Sequence, residues 1–198
     1  MRAPTPSGKG SSLGRIFGRR PRDEGAEALY QQIVQQGRDP RFYGDLGVPD
    51  TLDGRFEMLA LHLFLVLHRL RRESDDTSRS LTQSLTDSLV ADMDGNLREM
   101  GAGDLGVGRR VRRMAEGFNG RVAAYDAGLS QGTMALREAI RRNVYGTVEP
   151  TPQQVAALAV YVEGCRQALE GIGIADLAHG IVRFAAVPMA DSGAASRR

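Results

Sequence analysis

The sequence predicts an all-α protein, a single compact domain of about six helices behind a flexible basic N-terminal tail. Apolar residues recur three and four positions apart along most of its 198 residues, and no segment shows the convincing alternation of a strand. The composition agrees with this class: 41% of the residues are hydrophobic, only 6% are aromatic, and there is no tryptophan. Such a composition favours helices packed through Leu, Val, Ala and Met.

The charge is distributed unevenly, and this divides the chain. Residues 1–22 contain six basic residues and no acid, so they carry +6 although the whole chain has a net charge of +2. We expect a basic, disordered tail over residues 1–22, a helical domain over 23–186 and a flexible C-terminal tail over 187–198. Apolar residues between the basic ones give the first tail a second interpretation, contact with an anionic membrane surface: Leu13, Ile16 and Phe17.

The first predicted helix lies in residues 23–40, DEGAEALYQQIVQQGRDP, with acidic residues in its first turn and Gly37 and Pro40 as stop signals. Residues 41–54 are dense in Gly, Pro and Asp, which predicts a structured connection. We expect Asp50 to be the N-cap of the next helix. The connection offers four apolar side chains to the core: Phe42, Tyr43, Leu46 and Val48.

Residues 55–72, RFEMLALHLFLVLHRLRR, are apolar almost all round, which predicts the central helix of the core. His62 and His68 are six residues apart, or roughly 120° around a helix, so they lack the spacing of a metal-binding pair. We interpret both as packed or rim histidines.

Two long amphipathic helices follow the polar break at residues 73–80. The first stripe comprises Leu81, Leu85, Leu89, Met93, Leu97 and Met100. The second helix runs from Asp104 to about Tyr125, with the stripe Val107, Val111, Met114, Phe118, Val122 and Tyr125. Its glycines lower intrinsic helix stability by up to about 1 kcal/mol each, so tertiary packing must hold it.

The last third of the chain predicts two more helices. One lies in residues 134–146, and the other begins at a capping box in which Thr151 is the N-cap, Pro152 is the first helical residue and Gln154 is the third. Cys165 lies on the inward stripe of this second helix, and Gly171 ends it. The end of the domain, IADLAHGIVRFAAVP, fits either a short helix with an irregular tail or a strand.

The single cysteine excludes an internal disulfide and a cysteine-cluster zinc site, which is typical of a reducing compartment. The longest apolar run, Leu59–Leu70, contains two histidines and an arginine and is too short to span a bilayer. The N-terminus lacks the apolar core of a secretory signal, so we expect neither export nor a membrane-spanning helix.

Residues 92–114, DMDGNLREMGAGDLGVGRRVRRM, imitate two ligand-binding motifs. A calcium loop beginning at Asp92 would need Gly and Glu where Leu97 and Gly103 stand. A dinucleotide fingerprint needs a strand before its glycines, and the segment before them is a helical leucine repeat. The simpler interpretation is a corner between two helices, with Gly101 or Gly103 ending one and Asp104 capping the next.

The same stretch supplies a candidate docking surface. Asp92, Asn96 and Glu99 follow one another at helical spacing, so they form either a polar docking face, an interhelical hydrogen-bond network or a solvated face. Four arginines lie opposite the apolar stripe of the next helix and fit phosphate, anionic lipid, RNA or an acidic protein, or again a solvated face. The candidate docking surface comprises Asp92, Asn96, Glu99, Met100, Arg109, Arg110, Arg112 and Arg113.

Catalysis and cofactor binding have no comparable candidates. Cys165 lies on an apolar stripe, and no Ser or His has an identifiable base and orienting partner, so we assign no catalytic, cofactor-binding or metal-binding residue. A haem-handling role also lacks a recognisable ligand arrangement, although His62, His68 and the methionines are side chains of the right type.

Three stretches resemble the ubiquinol-cytochrome c chaperone family: residues 29–71, residues 92–121 and the segment LREAIRRNVYG. The resemblance covers roughly residues 28–185 and is to the compact bacterial form of the family. The family's most distinctive motifs match Leu46–Glu57 and Asp92–Met114.

The resemblance implies a helical, non-enzymatic assembly chaperone that binds newly made cytochrome b and promotes assembly of the ubiquinol-cytochrome c reductase. In mitochondria, relatives in this family work with a small partner subunit at the ribosomal exit and at the inner membrane. The candidate partners of this chain are therefore the ribosome exit region, an anionic membrane surface and a small partner subunit, although the chain itself does not indicate an equivalent of that subunit. We therefore expect a protein of the bacterial cytoplasm that also contacts the cytoplasmic face of the inner membrane. The alternative is a helical adaptor that binds RNA, the ribosome or the membrane surface and has no client.

A chaperone groove for apolar client helices would be lined by flexible side chains such as methionine. Met93, Met100, Met114 and Phe118 lie around the distinctive motif and are candidates for such a groove, or else for the structural core.

Overall fold

Helices are the only regular elements in the residues that the computed structural model describes, 21–99 and 104–189, with side chains for 24–95 and 116–189. This confirms the all-α prediction. The predicted tail residues 1–20 and 190–198 lie outside the described residues. The helices are α1 (Pro21–Gly37), α2 (Pro40–Gly44), α3 (Leu52–Leu70), α4 (Asp76–Glu99), α5 (Asp104–Gln131), α6 (Thr133–Val144), α7 (Pro152–Glu170) and α8 (Ile174–Ala178).

Two one-turn helices account for the difference between the predicted number, about six, and the eight in the described ranges. At the start of α2, Pro40 fixes the first turn and the Asp39 carboxylate accepts the Arg41 N–H at 3.0 Å. The other helix, α8, is followed by a turn at Gly180, whose φ of +79° suits glycine. The chain then runs from 181 to 189 without a turn or bend, so the ambiguous end of the domain is a short helix with an irregular segment.

The central position of α3 is confirmed, because it packs against α1, α4, α5, α6 and α7. An unbroken run from Ala60 to Leu67 is buried, which is the expected result for a helix that is apolar all round. The one polar member of this run is His62, which is nevertheless fully buried. Across the described ranges, no helix is long and apolar enough to cross a bilayer.

The start of α3 corrects one prediction, since Thr51 and not Asp50 is its N-cap. The Thr51 hydroxyl accepts the Gly54 N–H at 3.1 Å. The Asp50 carboxylate instead accepts a hydrogen bond from the Arg55 guanidinium at 2.7 Å. Both residue types are good caps, and sequence alone does not choose between neighbours. Gly54, whose N–H is bonded to the cap, lies close to Pro49, and a Cβ atom there would overlap with the Pro49 carbonyl oxygen.

The start of α4 differs from the prediction, whereas the start of α7 agrees with it. α4 begins inside the predicted polar break, because the Asp75 carboxylate accepts the Ser78 N–H at 3.0 Å and the Ser78 hydroxyl at 2.7 Å. The capping box of α7 is confirmed, with Thr151 and Gln154 each bonded to the other's backbone N–H. A signal that includes both partners is more specific than a single capping residue.

The close contact between α5 and α6 depends on Gly128. A Cβ atom at this position would lie 2.8 Å from Cα of Leu136, a backbone atom that cannot move without shifting α6. Gly120, about two turns earlier in α5, faces open space, because a Cβ atom there would meet nothing within 4 Å. Of these two glycines of α5, Gly128 lies at a close helix contact and Gly120 does not.

We expect Gly128→Ala to lower the free energy of unfolding by about 2 kcal/mol, because the added methyl group pushes α6 away from α5. Gly120→Ala is the matched control and should raise that free energy by about 0.5 to 1 kcal/mol, since alanine favours the helix. Urea unfolding followed by circular dichroism measures both. Equal effects of the two substitutions would contradict the role of Gly128 in helix packing.

A buried polar network joins α1, α3, α7 and the C-terminal segment. His62 Nδ1–H donates to the Met58 carbonyl at 2.7 Å, so Nε2 accepts the Tyr161 hydroxyl, also at 2.7 Å. The Tyr161 oxygen accepts the Gln36 amide at 3.1 Å. Burial lowers the pKa of His62 to about 4, so the ring is neutral at pH 7. The interpretation of His62 as a packed histidine is confirmed.

The rest of the network attaches the segment after α8. The Ala185 N–H donates to Sγ of Cys165 at 3.3 Å, and the Phe184 ring meets His62 edge to face with centroids 5.1 Å apart. Burial raises the pKa of the Cys165 thiol, as expected for a cysteine packed in the core.

Candidate docking surface

The candidate docking surface belongs to α4 and α5, which pack against each other and against α3. On α4, the side chains of Leu81, Leu85, Leu89 and Met93 are all buried. On α5, Phe118 and Tyr125 are buried and Val122 is half-buried, so the two predicted inward stripes are confirmed where side chains are described. Met93 and Phe118, 3% and 5% exposed, therefore belong to the core and do not line a client groove.

Asp92 connects α4 to α1. The Tyr30 hydroxyl donates to Oδ2 of Asp92 at 3.2 Å, across 62 residues of sequence. Burial, reinforced by the Asp92 charge, raises the pKa of Tyr30 above its ordinary range, so the phenol stays protonated and remains a donor. Asp92 is half-buried. Its described contact is an interhelical hydrogen bond, and its role in docking stays a prediction.

An ion pair connects α5 to α3. Nε of Arg121 donates to Oε2 of Glu57 at 2.6 Å, and its Nη2 donates to Oε1, so the pair is bidentate. The Glu57 side chain is 8% exposed and that of Arg121 is 25% exposed. Burial raises the pKa of Glu57, while the Arg121 guanidinium opposes that rise. The guanidinium carbon also lies 5.4 Å from the ring centroid of Phe56, which is close enough for a cation–π contact.

Asp126 provides a second connection between α5 and α3. Its Oδ1 lies 2.9 Å from Nδ1 of His68 and its Oδ2 lies 3.2 Å from Nη1 of Arg71. His68 is half-buried at the rim of α3, as predicted. Asp126 therefore belongs to an interhelical cluster with His68 and Arg71.

The remaining residues of the candidate docking surface lie largely outside the described residues. The backbones of Asn96 and Glu99 belong to the last turns of α4, but their side chains are not described, and Met100 lies outside altogether. Arg109, Arg110, Arg112 and Arg113 lie within α5, again without described side chains. The polar face and the arginine face therefore stay predictions. The structure describes the supporting part of both helices.

Sequence reasoning missed the partners that support these helices. Glu57 had a signal, since it is the one acid within an otherwise apolar stretch, FEMLA, that begins at Phe56. A lone charge on a buried helix requires a partner. The identity of that partner, Arg121, depends on how α5 crosses α3 and has no signature in either segment.

Comparison with known proteins places these helices in a known family. The family model described as ubiquinol-cytochrome C chaperone matches residues 44–184, a range that includes the whole candidate docking surface. The chain is similar to the ubiquinol-cytochrome-c reductase complex assembly factor 1 of Xenopus laevis, with 24% identity over 149 residues, 75% of this chain and 74% of that protein. The Mus musculus protein of corresponding name is 23% identical over 75% of this chain, but over only 50% of its own length.

A yeast protein and a bacterial structure extend the comparison. Protein CBP3, mitochondrial, of Saccharomyces cerevisiae is 29% identical over 109 residues, 53% of this chain and 32% of the yeast protein. This chain thus matches half of the mouse relative and about a third of the yeast one. The crystal structure of the Cbp3 homolog from Brucella abortus is 38% identical and superposes with a TM-score of 0.76, covering 84% of this chain and 92% of that one.

Proposed function

We propose, because this chain belongs to the ubiquinol-cytochrome c chaperone family, that it binds newly made cytochrome b and promotes assembly of the ubiquinol-cytochrome c reductase. The observation that carries the proposal is the family match over residues 44–184, which includes all of α3, α4 and α5. Relatives named as assembly factors of the same reductase point in the same direction. We propose a binding role and no catalytic one.

The described contacts suit a rigid support for docking. Polar bonds connect α4 to α1 and α5 to α3. The residues of α1 and α3 that make them are Tyr30, Glu57, His68 and Arg71. A docking face on helices held in this way is preorganised, so less conformational entropy is lost when a partner binds. In the proposal, Met100 and the arginines meet the client, because a flexible apolar side chain adapts to membrane-protein segments and guanidinium groups recognise acidic ones.

The basic residues of the chain indicate further partners with anionic surfaces. The basic residues of 1–22 and the arginine face of α5 fit the anionic surfaces of the ribosome exit region and of the cytoplasmic face of the inner membrane. We propose that the chain works at these places in the bacterial cytoplasm, with or without a small partner subunit. Each such contact should weaken as the salt concentration rises.

A photo-crosslinking residue placed at Glu99 or Arg112 in growing cells should capture newly made cytochrome b, since both positions lie on the candidate docking surface. The matched control is Gln167, which is exposed on α7. Identification of the crosslinked partner by mass spectrometry is the measurement, together with the level of the reductase in a deletion strain. No cytochrome b at either position, with normal reductase in the deletion strain, would refute the proposed function.

The alternative adaptor function gives a different result with charge reversal. If RNA or membrane binding is the whole function, replacing Arg109, Arg110, Arg112 and Arg113 by glutamate should abolish that binding and leave cytochrome b unchanged. If the chaperone proposal is right, the same variant should lower the level of assembled reductase. A salt titration of the unmodified protein on RNA and on anionic vesicles identifies which surface is bound.

A further inference from the structure

We propose that a groove between α1 and the C-terminal segment 181–187 binds an extended, uncharged stretch of polypeptide through backbone hydrogen bonds. The groove has a volume of about 680 Å³. Glutamines of α1 form one wall, and Val182 and Phe184 form part of the other. It belongs to different elements from the candidate docking surface, so its binding is separate from the proposed function.

The segment is brought alongside α1 by Gly180. A Cβ atom at Gly180 would lie 2.6 Å from Cβ of Ala28 on α1, and φ is +79°, so only glycine fits here without strain. From Ile181 to Met189 the chain has no turn or bend. Val182 and Phe184, two residues apart, both line the groove, which is the spacing of an extended chain.

The backbone of this segment has unused hydrogen-bonding groups. Within the described part of the chain, the N–H groups of Val182, Arg183 and Phe184 have no hydrogen-bond partner, whereas that of Ala185 is bonded to Cys165 on α7. The Ala185 N–H faces α7, and successive residues of an extended chain direct their N–H and C=O groups to opposite sides, so the proposal places those of Val182 and Phe184 on the side away from α7. Such an edge accepts a further strand.

The segment is also held firmly enough to act as a template. The Phe184 ring packs edge to face on buried His62, the Ala185 N–H is tied to Cys165, and Val187 is buried. A fixed edge loses little entropy when a partner strand pairs with it. These contacts distinguish the segment from a loose chain end.

The opposite wall favours a peptide over a charged ligand. Gln32 and Gln35 are exposed and their side-chain amides make no hydrogen bond to any described residue, so they offer both donors and acceptors. Of the charged residues in the groove, Asp39 is already paired with Arg41 at 2.6 Å, which leaves the single charge of Arg38. Nucleic acid needs several cations, whereas alternating neutral donors and acceptors match a peptide backbone.

The test uses the purified full-length protein and a library of end-capped seven-residue peptides built from Ala, Val, Ser, Thr and Gln. The rise of α1 from Gln31 to its end at Gly37 is about 9 Å, the length of roughly three extended residues, so a peptide of about seven residues is sufficient. The tightest binder is remade twice, with N-methyl groups on either of its two sets of alternate amides. We expect one N-methylated form to bind at least about tenfold more weakly and the other to bind nearly as well.

Protein variants locate the binding. The double substitution Gln32→Leu and Gln35→Leu should weaken binding about tenfold, and Gln167→Leu on α7 is the matched control and should leave it unchanged. The proposal is overturned if no library peptide binds below about 1 mM, if both N-methylated forms bind as well as the parent, or if the double variant binds normally. Because no outcome involves Glu99, Arg112 or cytochrome b, failure here and failure of the proposed function are distinguishable.

Discussion

Replacing Arg121 by leucine is expected to lower the free energy of unfolding by about 3 kcal/mol at pH 7, because it leaves the Glu57 carboxylate buried without its partner. The side chain of Glu57 is only 8% exposed, so water cannot take the place of the guanidinium. Urea unfolding monitored by circular dichroism measures the loss. The exposed pair Arg141–Glu138 is the control, and Arg141→Leu should leave stability nearly unchanged, because exposed ion pairs contribute little.

The double variant Glu57→Leu with Arg121→Leu measures how much the ion pair contributes to stability compared with two apolar side chains in the same place. A buried ion pair is often little better than apolar side chains of similar volume, so the double variant should lie within about 1 kcal/mol of the unmodified protein. The single Arg121 variant should be the least stable of the three. An Arg121→Leu variant as stable as the unmodified protein would show that Glu57 does not need the ion pair.

The loss should also depend on pH, and its direction follows from Glu57. Burial raises the pKa of this carboxyl above its ordinary value of 4.5, and Arg121 is the group that opposes the rise. Without Arg121 the folded-state pKa is higher still, so the folded variant binds a proton that the unfolded chain has already released. The deficit of the variant relative to the unmodified protein then becomes smaller as the pH falls from 7 towards 5. A deficit that is the same at both pH values would contradict this account.

The features predicted well from the sequence are those that a single segment determines. The inward stripe of α4, the apolar character of α3 and the capping box at Thr151 each depend on residues within one or two turns of helix. The misassigned cap at Asp50 shows where this reasoning fails. Two adjacent residues were equally suitable by type, and the structure shows that the Thr51 hydroxyl is the one that accepts the Gly54 N–H.

The supporting bonds of the candidate docking surface could not be predicted in the same way. Tyr30 and Asp92 are 62 residues apart, and Glu57 and Arg121 are 64 apart. Each pair requires two helices to cross at a particular height, which is set by packing of the whole core and not by local periodicity. The groove has the same origin, since segment 181–187 reaches α1 only through the turn at Gly180.

His62→Ala is expected to lower the free energy of unfolding by about 3 to 4 kcal/mol, the second large effect. The substitution opens a cavity between the rings of Phe42, Tyr161 and Phe184, and it removes the acceptor of the buried Tyr161 hydroxyl. His179 is the matched control, because it is exposed and its ring bonds to the Ala175 carbonyl of its own turn. His179→Ala should change stability by less than about 0.5 kcal/mol in the same urea measurement.

The pH dependence of stability tests the same histidine independently of cavity effects. Burial lowers the pKa of His62 from its ordinary value of 6.5 to about 4. Between these two pH values the residue is protonated in the unfolded chain and neutral in the folded protein. The contribution of neutral His62 to the free energy of unfolding is therefore fully present above pH 6.5. It is lost as the pH falls towards 4, by up to roughly 3 kcal/mol. Glu57 contributes with the opposite sign, so the comparison is made between variants and not within one curve.

The variant for that comparison is His62→Phe with Tyr161→Phe, which keeps two aromatic rings in place and removes both polar partners. Removing both members of a buried hydrogen bond costs less than removing one, so the double variant should be more stable than Tyr161→Phe alone. Between about pH 6.5 and pH 5 the double variant should lose less stability than the unmodified protein, because it lacks the imidazole that is protonated only in the unfolded chain. Parallel pH profiles for the two proteins would mean that His62 is not the residue responsible for this acid sensitivity.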